Sequence, residues 1–559
     1  MKLRGAEVVR RGLRTIALKA APALAVALAL ACGAALRAQE SQRPVPSFAE
    51  LEAAGARVGQ VRIVARDIFD TDDPKENYLL FRWANALHIQ TREGVIERAL
   101  LFKTGDPVSV RAIEETERLL RSNRYLYDVQ FRPVDYHDGV VDIEVSTRDT
   151  WTLDLGVSLG RAGGANSGSI QVKEYNLLGT GTSVSLGHSS DVDRTSNVFQ
   201  IANSRAFGTW TSLGFSHASN SDGSRDAASI VRPFYELDAR WAAGVSGVKD
   251  DRIDSVYNAG EIVSEYRHQQ NLGEVFGGWS AGLSNGWVQR YSVGLSYQDD
   301  VYSPEPGRVA PIPFPPDEKL AGPFVRYELL EERYEREQNR NVMGRPEFFA
   351  LGLASSVQLG WAPSSLGSTQ DTLLYSASVS RGFTPWPDHT LTAGGAISGQ
   401  FFDGKVYRQN FGAQAQYYLP QSTRWLLYAS AAGSLLTNPS PADTLYLGGD
   451  NGLRGYPLRY QAGTHRALFT VEERYFSDLY LWRLFRFGVV GFYDVGRAWG
   501  GDNINAGNPG WLGDVGVGLR IVSVRSALSN VLHVDLAAPL NATPEIKKLQ
   551  LLVSAKTRF

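Results

Sequence analysis

The sequence contains few of the residues on which metal sites, disulfides and many enzymes depend. Among its 559 residues there are one cysteine, two methionines and eight histidines. The histidines are scattered, and neither an HExxH nor an HxH pair occurs, so no sequence-local zinc site is expected. A Walker phosphate-binding loop is missing as well. We therefore expect neither a metal nor a cofactor.

The chain also lacks a strong charge of either sign. Its formal net charge is −2 at pH 7, with 57 basic and 59 acidic residues. A protein that binds nucleic acid usually carries a basic patch or a clear positive excess. We therefore expect no nucleic-acid partner.

Long apolar runs are missing except near the start of the chain. The run ALAVALALACGAAL covers residues 23–36, after a basic segment and before small residues. It is shorter than the ~20 residues that a membrane-spanning helix needs, and the arrangement is typical of a secretory signal peptide. We expect residues 1–38 to be removed after Ala38, together with Cys32. The alternative is a lipoprotein cleavage site at Ala29-Leu30-Ala31-Cys32.

The region between residues 39 and 150 mixes two kinds of periodicity. Residues 39–57 are polar, include Pro44 and Pro46, and are predicted to be a linker. In residues 58–150, VGQVRIVARDIF indicates a strand, SVRAIEETERLLRS a helix, and YLYDVQFRPV and DGVVDIEVSTRD two further strands. Helices covering one face of a small sheet would bury both apolar sides. We therefore predict one small α+β domain at 58–150.

From Trp151 to the C-terminus the helical period disappears and glycine-rich segments alternate between apolar and polar residues. In KLQLLVSAKTRF, Leu549, Leu551 and Val553 share one face, and Gln550 lies on the other. One lipid-compatible face and one polar face are typical of a membrane β-barrel, which must close because its backbone cannot stay unpaired in lipid. We predict an all-β transmembrane barrel of antiparallel strands at 151–559, with 18–20 candidate segments. A soluble β-sandwich or propeller would also alternate.

Two patterns that could indicate catalysis are better explained by the barrel. G-x-S-x-G occurs at 156–160, 278–282 and 282–286. A nucleophile elbow needs a strand, a sharp turn and then a helix, and no helix is predicted after any of the three. The acidic cluster at 327–337 could be read as paired carboxylates, but an extramembrane strand end or turn, with charges in solvent or facing the lumen, is favoured. We therefore expect no catalytic residue and no enzyme.

Several motifs along the chain resemble those of one family. Leu453-Arg454-Gly455-Tyr456 resembles the Val/Leu-Arg-Gly-Phe/Tyr signature of the BamA/TamA/two-partner-secretion superfamily of outer-membrane assembly and translocation barrels. The chain is similar to that family, in the same order, in FKTGDPVSVRAIEETERLLRSNRYLYDV, EYNLLGTG at 174–181, FYDVG at 492–496, VGVGLR at 515–520 and a terminal phenylalanine, Phe559. The resemblance covers about 500 residues of the sequence.

The resemblance implies a fold and a set of site residues. It implies a barrel of 16 strands, preceded by one POTRA domain at 58–150, whereas the segment count gives 18–20. It implies that Leu453, Arg454, Gly455 and Tyr456 form the tip of the sixth extracellular loop, which folds into the barrel lumen. Arg454 would then meet Asp494 of the FYDVG motif, flanked by Phe492 and Gly496 on the barrel wall. Phe559 would be part of a C-terminal targeting signal.

The resemblance also implies a function. The protein would insert or translocate polypeptides at the bacterial outer membrane without ATP or a cofactor, with its POTRA domain in the periplasm. Its partners would be outer-membrane lipids, unfolded client polypeptides and periplasmic proteins or lipoproteins. Assembly factors of the family carry several POTRA domains, and this chain has one, which puts a general assembly role in doubt. The alternatives are a passive outer-membrane channel or secretion pore, and a structural or adhesive surface barrel.

Overall fold

A computed structural model describes residues 45–556, except 342, 345, 502–509 and 524–530. The chain forms two compact units. One comprises residues 45–62, 102–113 and 131–145, and the other comprises 63–101, 114–130 and the chain from 146 onward. The predicted signal peptide and Phe559 lie outside the described residues.

The N-terminal part of the chain contains four helices and three strands. Glu50 and Ser47 form a capping box that starts the first helix, inside the segment predicted to be a linker. The three strands form a sheet in the order β1-β3-β2, so β1 and β2 are its edges. The elements are α1 Phe48–Ala53, β1 Arg57–Arg66, α2 Leu79–Leu87, α3 Glu93–Glu97, α4 Val110–Arg121, β2 Leu126–His137 and β3 Val140–Asp149.

The rest of the chain is built almost entirely from strands, joined by turns and two short 3-10 helices at Leu177–Gly179 and Ser364–Leu366. The strands are β4 Leu153–Ala162, β5 Ala165–Glu174, β6 Thr182–Ser190, β7 Thr195–Ala206, β8 Thr211–Asn220, β9 Gly223–Arg232, β10 Trp241–Asn258, β11 Glu261–Ser284, β12 Trp287–Pro304, β13 Glu318–Glu331, β14 Tyr334–Gln338, β15 Pro346–Ala350, β16 Ala354–Ala362, β17 Thr372–Phe383, β18 Thr390–Phe402, β19 Lys405–Pro420, β20 Trp425–Thr437, β21 Leu445–Leu447, β22 Gln461–Gly463, β23 His465–Leu481, β24 Phe485–Trp499, β25 Leu512–Ser523, β26 Val531–Pro539 and β27 Gln550–Lys556.

Twenty of these strands close into one antiparallel barrel, in which each strand pairs with its neighbours along the chain and β27 pairs with β4. The prediction of 16 strands is therefore wrong, whereas the range of 18–20 obtained from the alternating segments includes the observed number. Of the described strands from β4 onward, only the two short pairs β14–β15 and β21–β22 lie outside the ring. The barrel exceeds the expected 16 strands because every long segment of alternating apolar and polar residues joins its wall.

The outer wall of the barrel is apolar. Leu155, Val157 and Leu159 are exposed at every second position of β4, and the same spacing recurs with Val515, Val517 and Leu519 on β25. Soluble proteins rarely expose contiguous apolar surfaces of this extent, and alternation with inward polar residues is the pattern of a lipid-facing barrel wall. Separately, no helix in the described ranges is both long and apolar enough to cross a membrane.

The barrel has two distinct ends. The loop end carries the hairpin turns β4–β5, β6–β7 and their successors, including the long connection between β20 and β23. The terminal end carries the start of β4 at Leu153 and the end of β27 at Lys556. The hairpin β14–β15 belongs to the connection between β13 and β16, at the terminal end.

Candidate functional site in the barrel lumen

The connection between β20 and β23 folds inward, so its tip lies inside the barrel. Leu453 and Tyr456 are completely buried, in a cluster with the wall residues Ala498 and Leu512. Because the barrel has 20 strands, this loop is the eighth at the loop end, and the expected sixth position is corrected accordingly. We call residues 448–458 the lumenal loop.

Arg454 makes a two-pronged contact with Asp494 on β24. Its Nε donates to Asp494 Oδ2 at 2.7 Å, and its Nη2 donates to Oδ1 at 3.0 Å. The guanidinium also lies 3.4 Å from the centre of the Phe492 ring, and Arg454 is only 8% exposed. A planar guanidinium can make both contacts at once, whereas a lysine ammonium cannot reproduce the fork. The structure therefore brings together the residues that the motifs singled out.

Arg454 also lies close to two further carboxylates. Its Nη1 is 3.0 Å from Glu472 Oε1 and 3.7 Å from Asp535 Oδ2. Burial by itself lowers the pKa of Arg454, but the hydrogen bonds with Asp494 and the surrounding negative charges raise that pKa above its usual value. The arginine is therefore a permanently charged centre that neutralises several carboxylates on the wall.

Gly455 and Tyr456 fix the tip against β25. The Gly455 N–H donates to Asp514 Oδ2 at 3.0 Å, and the Tyr456 hydroxyl donates to the Gly513 carbonyl at 3.0 Å. A Cβ atom on Gly455 would lie 2.7 Å from Asp514 Cβ and 3.0 Å from the Pro539 nitrogen. The glycine is needed here for close approach to the wall, since any side chain would push the loop away.

Gly496 of the FYDVG motif leaves room for the segment just before the lumenal loop. A Cβ atom at this position would lie 2.9 Å from the Ala467 carbonyl oxygen and 3.0 Å from Leu447 Cδ2, on the β21 strand of the inserted loop. Phe492, Asp494 and Gly496 occupy alternate positions of β24, so all three face the lumen. Within the motif, the Phe492 ring stacks on the Arg454 guanidinium and the Asp494 carboxylate pairs with it. Gly496 leaves space for Leu447.

The lumenal loop also contacts the loop end of the first barrel strands. The Leu458 N–H donates to the Gly163 carbonyl at 3.1 Å, in the turn between β4 and β5. Next to it, Arg459 forks onto Asp193 of the β6–β7 turn at 2.8 and 2.6 Å and lies over the Tyr257 ring at 4.4 Å. Burial raises the pKa of Asp193, but the contacts with Arg459 outweigh it and hold that pKa below its usual value.

A second element enters the lumen from the terminal end. Residues 334–350, which we call the lumenal hairpin, place Met343 in a buried cluster with Val490, Phe492 and Leu552 of the wall. The Tyr418 hydroxyl donates to Asn341 Oδ1 at 3.0 Å, and the rings of Phe349 and Tyr418 lie 5.6 Å apart at 77°. This hairpin contains the end of the acidic cluster noted in the sequence, whose first residues belong to β13.

One charged pair on β23 connects the two lumenal elements. Arg474 Nε donates to Glu472 Oε2 at 2.9 Å, while the other oxygen of Glu472 pairs with Arg454. Arg474 Nη1 donates to the backbone carbonyl of Arg340 at 3.0 Å, within the hairpin. A continuous series of polar contacts therefore runs from Asp494 through Arg454, Glu472 and Arg474 to the hairpin.

The barrel closes at a weak seam. Among the described residues, β27 and β4 share a single pair of backbone partners, Val553 and Arg161. By contrast, β4 pairs with β5 without interruption from Leu153 to Ala162. The lumenal loop reaches β25 through Asp514 on one side of this seam and the β4–β5 turn through Gly163 on the other. It thus connects the two sides from inside the barrel.

The wall away from the seam leaves open polar space. Cavities of about 360, 330 and 310 Å³ follow one another along β17 and β18. Their lining includes Ser356, Ser376, Ser378, Ser398 and Ser434, together with alanine and glycine. Small hydroxyl side chains leave room for water in this part of the lumen, beside the two inserted elements.

The sequence motifs missed several residues that complete this site. Glu472, Arg474, Asp514 and Asp535 belong to no motif of the family signature, yet each contacts the lumenal loop or a residue that holds it. A usable signal was present, because Glu472 and Arg474 are charges two residues apart in an otherwise barrel-like strand. Phe559 lies outside the described residues. No group of three or more potential metal ligands was found in the described ranges.

Comparisons with known proteins give weak similarities to outer-membrane barrels. No protein-family model and no curated protein matches the sequence. Among solved structures, CdiB from Escherichia coli is 13% identical with a TM-score of 0.46, covering 89% of this chain and 76% of that one. CdiB from Acinetobacter baumannii is 13% identical with a TM-score of 0.40, covering 89% and 73%. BamA from Haemophilus ducreyi lacking POTRA domains 1–3 is 13% identical with a TM-score of 0.37, covering 89% and 84%.

Proposed function

We propose that the protein inserts or translocates polypeptides at the bacterial outer membrane. The observation that carries this proposal is the seam between the barrel strands β4 and β27, where Val553 and Arg161 are the single pair of backbone partners among the described residues. An unpaired strand edge presents free N–H and C=O groups, on which another strand can form. Opening the seam would offer two such edges, both inside the membrane and accessible from the lumen.

The lumenal loop would determine whether the seam is closed or open. In its docked position it contacts β25 through Asp514 and the β4–β5 turn through Gly163, so it holds the two sides of the seam together from inside. Release of Arg454 from Asp494 would remove this connection and allow β4 and β27 to separate. Neither step needs a nucleotide or a cofactor, because strand pairing with the client replaces the pairing lost at the seam.

The N-terminal sheet would deliver the client. We assign residues 58–150 as a single POTRA domain in the periplasm, in which β1 and β2 are the sheet edges. An extended client segment can add to such an edge through backbone hydrogen bonds, which tolerate many sequences. The polypeptide would then pass to the barrel, while lipids surround the apolar outer wall.

Depletion of the protein, followed by a quantitative inventory of the outer membrane, tests the proposal. We expect specific β-barrel or secreted proteins to be lost from the outer membrane and to accumulate as unfolded periplasmic species. The control is depletion with simultaneous expression of the wild-type chain. An unchanged inventory, with normal secretion, would exclude both insertion and translocation.

A passive channel is the second candidate, and the serine-lined cavities along β17 and β18 are the observation that favours it. A channel predicts ion conductance through the reconstituted protein with no effect of depletion on other outer-membrane proteins. Measurement of both properties separates the two candidates, because an insertion factor is required for its clients even where its resting lumen conducts.

A further inference from the structure

Helix α2 exposes an apolar stripe on a helix whose orientation is fixed. Leu79, Leu80, Trp83 and Leu87 are spaced so that they share one side of the helix, and all are exposed, Trp83 by 61% and Leu87 by 73%. The opposite side is buried through Phe81, whose ring stacks on Phe69 at 3.9 Å. The helix is therefore apolar on both sides, although its stripe contacts no other part of the described chain closely enough to be buried.

Specific polar contacts prevent the helix from turning its stripe inward. Asn85 accepts from the Phe69 N–H at 3.1 Å and donates to the Phe69 carbonyl at 2.8 Å. After the helix, His88 Nε2 is 2.9 Å from Asp149 Oδ2. Because these contacts hold the buried side in place, the exposed stripe is a permanent surface of the folded protein.

The helix lies beside the terminal end of the barrel. Phe81 belongs to a cluster that includes Leu484, in the turn between β23 and β24. In the same turn, Arg483 Nη1 is 3.2 Å from Glu76 Oε1, just before the helix. Trp482 of this turn is 72% exposed. Turns that connect lipid-facing strands lie at the membrane surface, where tryptophan side chains concentrate.

We propose that α2 lies in the headgroup layer of the membrane, with Leu79, Leu80, Trp83 and Leu87 in contact with lipid. The inference rests on the proposed membrane location of the barrel and not on its activity with clients. The position of the helix beside a turn of the barrel that exposes Trp482 favours lipid as the occupant. Leucine and tryptophan on one side of a surface helix are the residues with which interfacial helices bind membranes. The helix would tie the segment before the barrel to the membrane surface.

Site-directed spin labelling of the whole chain in proteoliposomes tests this placement. Cys32 is the only cysteine in the sequence, so a Cys32→Ser background gives single labelling sites. Nitroxides would be placed with Leu80→Cys and Trp83→Cys on the stripe. Val157→Cys on the outer barrel wall is the lipid reference, and Glu97→Cys, an exposed acid on α3, is the water reference. Heat-modifiable migration in gels verifies that each variant is folded.

We expect the labels at 80 and 83 to fall between the lipid and water references, with severalfold more collisions with oxygen and severalfold fewer with a water-soluble nickel chelate than the label at 97. Nickel accessibility at 80 and 83 equal to that at 97 would overturn the proposal. So would protection that arises only after addition of a urea-unfolded barrel polypeptide, because the stripe would then be a polypeptide site. If the label at 157 is itself accessible to nickel, the membrane location of the barrel is wrong.

Discussion

At the scale of single residues, the account depends on Arg454 and the carboxylates around it. The arginine pairs with Asp494, Glu472 and Asp535 at 2.7, 3.0 and 3.7 Å. Removing the arginine and removing one of its partners should therefore have unequal effects on stability. Removing Asp494 leaves Arg454 with two other carboxylates, whereas removing Arg454 leaves all of them without their common cation. The structure thus predicts an asymmetry that the pairing of two residues alone would not.

We predict that Arg454→Ala is more damaging than Asp494→Ala, and that the double variant is little worse than Arg454→Ala. Breaking a buried pair by removing one partner costs about 3–5 kcal/mol, which is enough to release the loop. Arg454→Lys should also fail, because the fork is lost. Protease accessibility of residues 448–457 on whole cells, together with a double-mutant cycle of stability, measures these effects. Simple additivity of the two single effects would show that the residues act independently.

The matched control for this series is Arg424→Ala. Arg424 forms an ion pair with Asp478, but both side chains are more than half exposed. Pairs of that kind contribute only about 0–1 kcal/mol. The control should therefore leave the loop protected and the stability nearly unchanged. A loss similar to that of Arg454→Ala would mean that any arginine removal destabilises the barrel.

Gly455→Ala should displace the loop tip without removing any charge. The added Cβ would lie 2.7 Å from Asp514 Cβ and 3.0 Å from a backbone nitrogen, neither of which can easily move. The control is Gly491→Ala on β24, where an added Cβ meets nothing within 4 Å. We expect protease sensitivity of residues 448–457 in the first variant and wild-type resistance in the second. Equal resistance of both would show that the loop tip is not closely packed.

At the scale of elements, the lumenal hairpin and the lumenal loop are expected to act together through Glu472 and Arg474. Replacement of residues 334–350 by a short turn should increase single-channel conductance severalfold, because the hairpin occupies part of the lumen near the terminal end. Glu472→Gln should give a smaller increase, since it weakens the connection and leaves both elements present. Planar-bilayer recordings of the reconstituted variants measure both changes. Wild-type conductance in the deletion variant would show that the hairpin does not obstruct the lumen.

The N-terminal sheet contains a charged contact that should give it a pH dependence. Glu144 on the central strand β3 pairs with Arg132 on β2 and with Arg62 on β1. The hydrogen bond from Arg132 is the main cause that lowers the pKa of Glu144 below its usual value, and Arg62 adds to it. A lowered folded-state pKa means that this stabilisation is present at neutral pH and is lost as the pH falls through the folded-state pKa.

We therefore predict that Glu144→Gln destabilises the sheet at pH 7 by no more than about 1 kcal/mol, since both arginines are largely exposed. The variant should also lose part of the acid dependence of the wild-type protein. Hydrogen exchange of β1–β3 in the full chain, measured at pH 7 and again near pH 4, provides the comparison. An identical pH dependence in both proteins would show that Glu144 does not carry it.

The elements also show how far the sequence determines the fold and the site. The alternation of apolar and polar residues predicted the closed barrel, because only every second residue of a barrel strand faces lipid. The LRGY and FYDVG motifs singled out Arg454 and Asp494, which the structure places in direct contact. The hairpin β14–β15 was not predicted, because its short strands and charged residues resemble an ordinary surface turn. Its position depends on contacts with distant wall residues such as Tyr418, which no local pattern encodes.

At the scale of the whole molecule, the apolar wall, the partly occupied lumen and the weak seam belong to a closed barrel, and we propose that it opens along the seam. A rigid wall of 20 strands would not need an internal loop that contacts both sides of the seam. The central claim is that separation of β4 from β27 is required for activity with client polypeptides.

The most direct test is a disulfide across the seam, made with Arg161→Cys and Val553→Cys in a Cys32→Ser background. These residues are direct antiparallel partners, a geometry that places Cα atoms within disulfide range. The matched control, Val157→Cys with Ile170→Cys, joins β4 to β5 away from the seam. In proteoliposomes supplied with an unfolded barrel or secreted polypeptide, the account predicts that the oxidised seam variant is inactive, that reduction restores it, and that the control stays active throughout. Full activity of the oxidised seam variant would contradict the account.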